Sequence, residues 1–451
     1  MDWSTDKVLA LAPDSGSASA GQGLASERKW TSLGVSDRAI WGLCQGSGKD
    51  PYQTRIDMSE PVFKCSCPSR KFPCKHGLGL LLLFAKSRGS FKSGAEPGWV
   101  SEWIDGRAEK AEKKAEKAKV VAEAPVDLAA QAKRAAVRED RVRQGVAECR
   151  SWLDDLLRRG LAAAQSSATS ECERVAARMV DAQAPGLAAM VRRIARSMAS
   201  GDGWEERTLE HLGRVHLLLT AADRLGTLPG EIAGDVRVAI GYNQPKEDVL
   251  AGHGVADLWT VVGQAFEEDE RLTVRRTWLW GKRTARAALV LDFAVGRQPL
   301  DTSLVPGTGF EGEVVFYPSG APLRALVKSR GEGSRAAEVP ADESQNTIGA
   351  NLVRFARALG ANPWLMRWPM VLPRTRVVCS GDRWLLGQGE QMLPLSPAFA
   401  RGIQLWRLLA ATGGREATIA VEWDGDAAEP VGLFVDAGGT GYVGLVARWA
   451  A

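Results

Sequence analysis

Cys65, Cys67, Cys74 and His76 constrain this chain more than any other feature. They read C-x-C, a six-residue spacer, then C-x-H. Three thiols and an imidazole within twelve residues form a complete tetrahedral ligand set for Zn²⁺. With three thiolates and one neutral imidazole the site carries a formal charge of about −1. Four protein ligands leave no open coordination position, so the metal expected here is structural and not hydrolytic.

The flanking residues suit that reading. Between Glu60 and Lys92 lie Lys64, Arg70, Lys71, Lys75, Lys86, Arg88 and Lys92, with Glu60 the only acid. The excess of positive charge favours thiolate over thiol. Pro68 and Pro73 stiffen the spacer. After His76 the chain turns apolar through Leu78, Leu80, Leu81, Leu82, Leu83 and Phe84, which predicts a short buried helix whose first turn carries Cys74 and His76. Upstream, Ala39 to Leu43 and Tyr52 to Met58 read as two strands joined by the turn-rich stretch from Gly46 to Pro51. Together these make a ββα zinc module.

The stretch from Trp41 to Gly48, then Tyr52, then Lys64 to His76, resembles the SWIM zinc finger, bacterial members in particular. The resemblance covers roughly the first hundred residues, and all four metal positions match. It implies zinc binding together with DNA or protein interaction, and it does not imply catalysis. It also implies an accessory role beside a larger machine, with an ATPase-type partner as the expected kind. Lys64, Arg70, Lys71 and Lys75 are the residues expected to meet nucleic acid or an acidic partner. A redox switch that ejects zinc is the minor alternative, with Cys44 the nearest further thiol.

The rest of the chain is expected to form further domains, giving a multi-domain α+β protein: a ββα zinc module over 1–104, a charged helical linker over 105–131, a helical region over 132–265 and a β-rich α+β domain over 266–451. Residues 13–23 are rich in Gly, Ser and Ala and read as a loop. Arg107 to Lys119 has no apolar residue larger than Ala. Its interleaved Glu and Lys favour a helical spacer over a basic arm. Helical spacing recurs in Val142, Val146, Cys149, Leu153, Leu156 and Leu157, in Leu187, Met190, Val191, Ile194 and Met198, and in Leu209, Leu212, Val215 and Leu219. That pattern predicts a small antiparallel bundle. From Leu272 onward, strands and turns dominate: Ala287 to Val295, Val314 to Tyr317 with Leu323 to Val327, Val377 to Cys379 with Trp384 to Leu386, and a terminal meander through Thr418 to Trp423, Val431 to Val435 and Tyr442 to Val446. Helices are expected around Ile348 to Leu359 and Phe399 to Leu409.

Other motifs carry less. Gly307 to Gly312 matches GxGxxG, but Pro306 precedes it and a strand follows, so it reads as a turn and not as a dinucleotide fingerprint. His211 and His216 are five residues apart, off a shared helical face, and read as ordinary helix residues. No nucleophile elbow or phosphate-binding loop is present. A net charge of +4 does not mark a polyanion binder by itself. Cys149, Cys172 and Cys379 are too scattered for a disulfide framework, which favours a reducing cytoplasm. The acidic start and the lack of a long apolar run predict neither a signal peptide nor a membrane span. The expectation is thus a zinc-binding adapter with one structural Zn²⁺ and no enzymatic role. The competing readings are a DNA-binding protein that uses the basic zinc loop and an enzyme in the C-terminal half.

Overall fold

The computed structural model describes residues 3, 5–12, 15–46, 50–58, 62–69, 71–107, 109, 128–269, 272–295, 300–301, 303–331, 335–336, 346–435, 441–445 and 447–450. Arg70 and most of the charged linker, residues 110–127, lie outside them. The ends of the expected linker belong to flanking helices, 98–107 before it and Leu128–Arg159 after it.

The N-terminal module holds more than two strands and a helix. Helices α1 (Thr5–Ala10) and α2 (Ser15–Leu24) precede strands β1 (Trp30–Val35), β2 (Ala39–Cys44), β3 (Tyr52–Asp57) and β4 (Val62–Cys65). Helix α3 (Lys75–Lys86) follows, then the short β5 (Lys92–Ser93) and helix α4 (98–107). The sheet runs β4-β3-β2-β1-β5. Ile40, Ile56 and Phe63 bury one face against α3. Ala39 and Trp41, on the other face, meet Val100 and Ile104 of α4. Strand alternation thus gives β2 two apolar faces, each covered by a helix.

The expected loop at 13–23 is in fact helix from Ser15 to Leu24. Its small residues serve close packing. A Cβ on Gly21 would lie 2.9 Å from the Leu78 Cβ, and one on Gly79 would lie 2.6 Å from the Leu24 Cβ. Composition that reads as loop in isolation is here what lets two helices approach.

The central region is helical, with α5 (Leu128–Arg159), α6 (Leu161–Ala164), α7 (Ala168–Asp181), α8 (Pro185–Met198), α9 (Trp204–Asp223), α10 (Gly230–Ile240) and α11 (Lys246–Leu250). Val146, Cys149 and Leu153 of α5 share one core with Cys172 and Met179, Val191 and Ile194, and Leu212 and Val215. The expected helical periodicity is therefore the buried stripe of each helix, apart from Leu157 and Leu209, which are exposed. The boundary lies earlier than expected: helix ends at Leu250, and a strand begins at Val255.

Two packed sheets make the C-terminal region. The first contains β6 (Val255–Asp269), β7 (Leu272–Gly281), β8 (Ala287–Val295), β9 (Thr308–Phe316) and β10 (Ala325–Arg330), in the order β10-β9-β6-β7-β8. A short β11 (Arg335–Ala336) adds to β9. Helix α12 (Ile348–Ala361) leads into the second sheet. That sheet contains β12 (Trp368–Ser380), β13 (Arg383–Gln388), β14 (Gln391–Pro394), β15 (Ala417–Trp423), β16 (Ala428–Phe434) and β17 (Tyr442–Gly444), in the order β14-β13-β12-β15-β16-β17. Helices α13 (Pro397–Arg401) and α14 (Ile403–Thr412) lie between β14 and β15, and β18 (Ala447–Ala450) returns parallel to β6.

Val262, Ala265, Trp278 and Trp280 of the first sheet pack on Val371, Ala420, Val431 and Phe434 of the second. Gly263 sits at a bulge where a Cβ would fall 2.5 Å from Val431. Phe355, Phe399, Leu405 and Leu408 cover the far face of the second sheet. The GxGxxG stretch is a turn only at Gly307, whose φ is 76°; residues from Thr308 on belong to β9. No helix among the described residues is long and apolar enough to cross a membrane.

Candidate metal centre

Four short-range features bring the ligands together. Strand β4 ends at Cys65, and Cys67 lies two residues beyond in the turn. Cys74 is the N-cap of α3, where its sulfur accepts a hydrogen bond from the Gly77 N–H at 3.4 Å. His76 is the second residue of that helix and is buried. Gly77 is required there, because a Cβ would lie 2.9 Å from the Phe63 ring. Sheet edge and helix start therefore converge on one point.

The ligand atoms of Cys65, Cys67, Cys74 and His76 all lie within 4.8 Å of one another. Cys65 Sγ and His76 Nδ1 are 3.8 Å apart. A tetrahedron with bonds of about 2.0–2.3 Å has edges of about 3.5 Å between sulfur and nitrogen. Donor type, number and spacing fit one structural Zn²⁺, with Nδ1 as the facing imidazole nitrogen.

Neighbours beyond the four ligands order the site, and sequence spacing did not reveal them. Thr54 Oγ1 is 3.2 Å from Cys65 Sγ, across the β3–β4 pair. The Tyr52 ring lies 4.9 Å from the His76 ring, tilted by 49°. Both follow from β3 alternation, which turns Tyr52, Thr54 and Ile56 to the metal side. Their signal was present in the strand pattern, but only strand register reveals which cysteine they meet.

Electrostatics within the cluster are strongly uneven. Hydrogen bonds from the Cys65 and Cys74 sulfurs hold the Cys67 thiol well below the ordinary thiol range. Sharing hydrogens with Cys65 and Cys67, together with burial, drives Cys74 far above it. Burial opposes charge on His76, yet the Cys65 and Cys67 sulfurs outweigh it and raise the imidazole to about 9. Thiols this close cannot all ionise without a cation among them, and a divalent metal supplies that charge.

The expected contact residues separate. Lys71 and Lys75 are exposed beside the metal, one in the spacer and one at the first position of α3. Lys64 is exposed too but lies elsewhere. It pairs with Arg55 in the strand register, between Phe63 and Cys65, which face α3 and the metal. Alternation turns Lys64 to the α4 side of the sheet. Arg70 lies outside the described residues. Phe72 was not singled out by its sequence. It is 36% exposed and packs edge-on against Phe63, with ring centroids 6.2 Å apart.

Comparison with known families agrees with this geometry. The SWIM zinc finger model matches residues 64–84, which hold all four ligands and most of α3. The SWIM-associated four-helix bundle domain matches residues 137–240, from within α5 to the end of α10. The chain is a SWIM-type zinc finger domain-containing protein, and the finger and its donor set support one structural Zn²⁺. No match was found among curated proteins or among solved structures.

Proposed function

We propose that this SWIM zinc finger chain is an adapter that binds a protein partner through the surface beside its metal, and that it is not an enzyme. The observation that carries this reading is the pairing of a four-ligand site with an exposed aromatic residue. The Cys₃His set leaves no position for a reactive water. Next to it Phe72 is exposed while Phe63 holds it in place, with Lys71 and Lys75 exposed on the same loop and helix start. A fixed aromatic rimmed by charge is the usual centre of a protein-binding surface. An acidic partner, including an ATPase-type machine, suits the two lysines.

DNA binding through the same loop is the second reading, favoured by those lysines. It is the weaker one because Lys64 faces the other side of the sheet. Lys71 and Lys75 with Arg70 would neutralise three phosphates, so log affinity should fall against log salt with a slope of about −3.

The test uses the full chain with zinc bound. A photo-crosslinking amino acid at Phe72 should capture one partner, and Lys71→Glu with Lys75→Glu should abolish that capture. Anisotropy of a labelled DNA duplex should show no salt-sensitive binding. A slope near −3 that the same double variant removes would replace the adapter reading with the DNA one.

A further inference from the structure

A cleft of about 520 Å³ that shares no residue with the zinc site opens between helices α8 and α9 and the two-sheet region. Six arginines line it: Arg193, Arg196, Arg207, Arg214, Arg276 and Arg367. Four carboxylates line it too, those of Glu210, Glu267, Asp424 and Asp426. With the buried Glu422 that pairs with Arg276 counted as well, six cations face five anions, an excess of one positive charge.

The pairing within the cleft sharpens that excess. Arg214 pairs with Glu210 at 2.6 Å, and Arg367 with Asp424 at 3.1 Å. Arg276 pairs with Glu267 and with the fully buried Glu422, both at 2.9 Å. Arg207 donates to the carbonyls of Ser200, Gly201 and Asp202. The side chains of Arg193 and Arg196 are given no hydrogen bond or ion pair by the described residues. Arg193 is partly buried, with Arg196, Arg367 and Arg214 as positive neighbours and Glu267 as the opposing carboxylate.

A partly buried cation with more like charges than carboxylates around it costs free energy unless an anion meets it. Arginine does not escape that cost by losing its proton at neutral pH. Burial, then Arg196 and Arg367, lower Arg193 only to about 10, so it remains charged. The same field acts on His211, which burial and then Arg193 and Arg214 push down to about 4. His211 is therefore neutral at pH 7 and adds no further positive charge.

We propose that this cleft binds a small ligand carrying phosphate groups, with Arg193 and Arg196 as its principal contacts. Planar guanidinium groups match phosphate oxygens bidentately. Two guanidinium groups without an ion-pair partner among the described residues suit a multiply charged anion better than a single carboxylate. The volume exceeds what a bare phosphate fills and lies in the usual range for organic ligands. A ligand seated there would touch both the helical bundle and the sheets and would hold them together.

Titration of the full chain with pyrophosphate, read by calorimetry and by melting temperature, tests this. Saturable binding of one pyrophosphate per chain is expected. Arg193→Gln with Arg196→Gln should weaken it about ten- to hundredfold, the loss of charge-assisted contacts. Arg374→Gln with Arg376→Gln, an exposed pair on Glu416, should leave it unchanged. If the first double variant does not fold, Arg196→Gln alone, at an exposed position, should still weaken binding about tenfold. Failure to saturate, equal loss in both double variants, or equal protection by NaCl at matched ionic strength would overturn the proposal. Displacement of pyrophosphate by a DNA duplex would overturn it as well, making the cleft part of a nucleic-acid surface.

Discussion

Lys64 lies directly opposite Arg55 on neighbouring strands, on the side of the sheet away from Cys65. Arg55 in turn stacks on Trp99 and Trp103 of α4, at 5.1 and 5.6 Å from the ring centroids. The basic residues around the metal therefore form two surfaces. Lys64→Gln should leave partner binding within about twofold of wild type, since a surface substitution away from the contact is usually nearly neutral. Lys75→Gln should weaken it by about threefold or more, as expected for an interface-rim charge. Surface plasmon resonance against the partner captured through position 72 distinguishes them, and equal losses would place both lysines on one surface.

Cys74 has two duties, as metal ligand and as helix cap. Cys74→Ser should preserve much of the capping geometry but lose the metal. Zinc content should fall from about one per chain to near zero. Structural zinc supplies on the order of 10 kcal/mol in small isolated modules, so the sheet around α3 should lose protection. Hydrogen exchange should rise across residues 62–86 while the core of α7 and α8 stays protected. A variant that kept full zinc would remove Cys74 from the ligand set.

Local chemistry was legible in the sequence because it is local. The four ligands span twelve residues, and their types and spacing suffice. The helical stripes were legible because each helix carries its own period, and the terminal meander because turn residues bound its short apolar runs. Three features were not. Strand β6 is buried on both faces, with Trp259, Val261, Val262 and Ala265 all in cores, and such an apolar run has no diagnostic period. Helix α2 is composed of small residues whose purpose lies in their neighbour α3. The arginine cleft joins residues as distant as Arg193 and Arg367, which only the tertiary fold brings together.

Gly79 tests the packing of α2 on α3. Its missing Cβ is replaced in space by Leu24, 2.6 Å away. In an open helix Gly→Ala would add about 1 kcal/mol of stability. Here the steric conflict should reverse the sign, with Gly79→Ala destabilising by about 1–3 kcal/mol. Thermal melting followed at the zinc module measures this. A rise in melting temperature would mean that the two helices separate readily.

Glu429 should give the chain an unusual pH response. It lies directly across from Glu422 on the β15–β16 pair and accepts a hydrogen bond from Ser396. Burial raises its carboxyl to about 8; the Ser396 bond partly offsets this, and the Glu422 charge adds to it. Because the folded value lies above the ordinary 4.5, the folded state keeps a proton that the unfolded chain releases. The contribution to stability is complete below pH 4.5, declines as pH rises through the window up to 8, and is lost above it. The decline should amount to a few kcal/mol on the order-of-magnitude scale of 1.36 kcal/mol per pKa unit. Glu429→Gln has no proton to lose and should flatten the curve, so that its advantage over wild type grows from pH 5 to pH 8. Chemical denaturation across that range is the measurement, and parallel curves for the two proteins would show that Glu429 is ionised in the folded state.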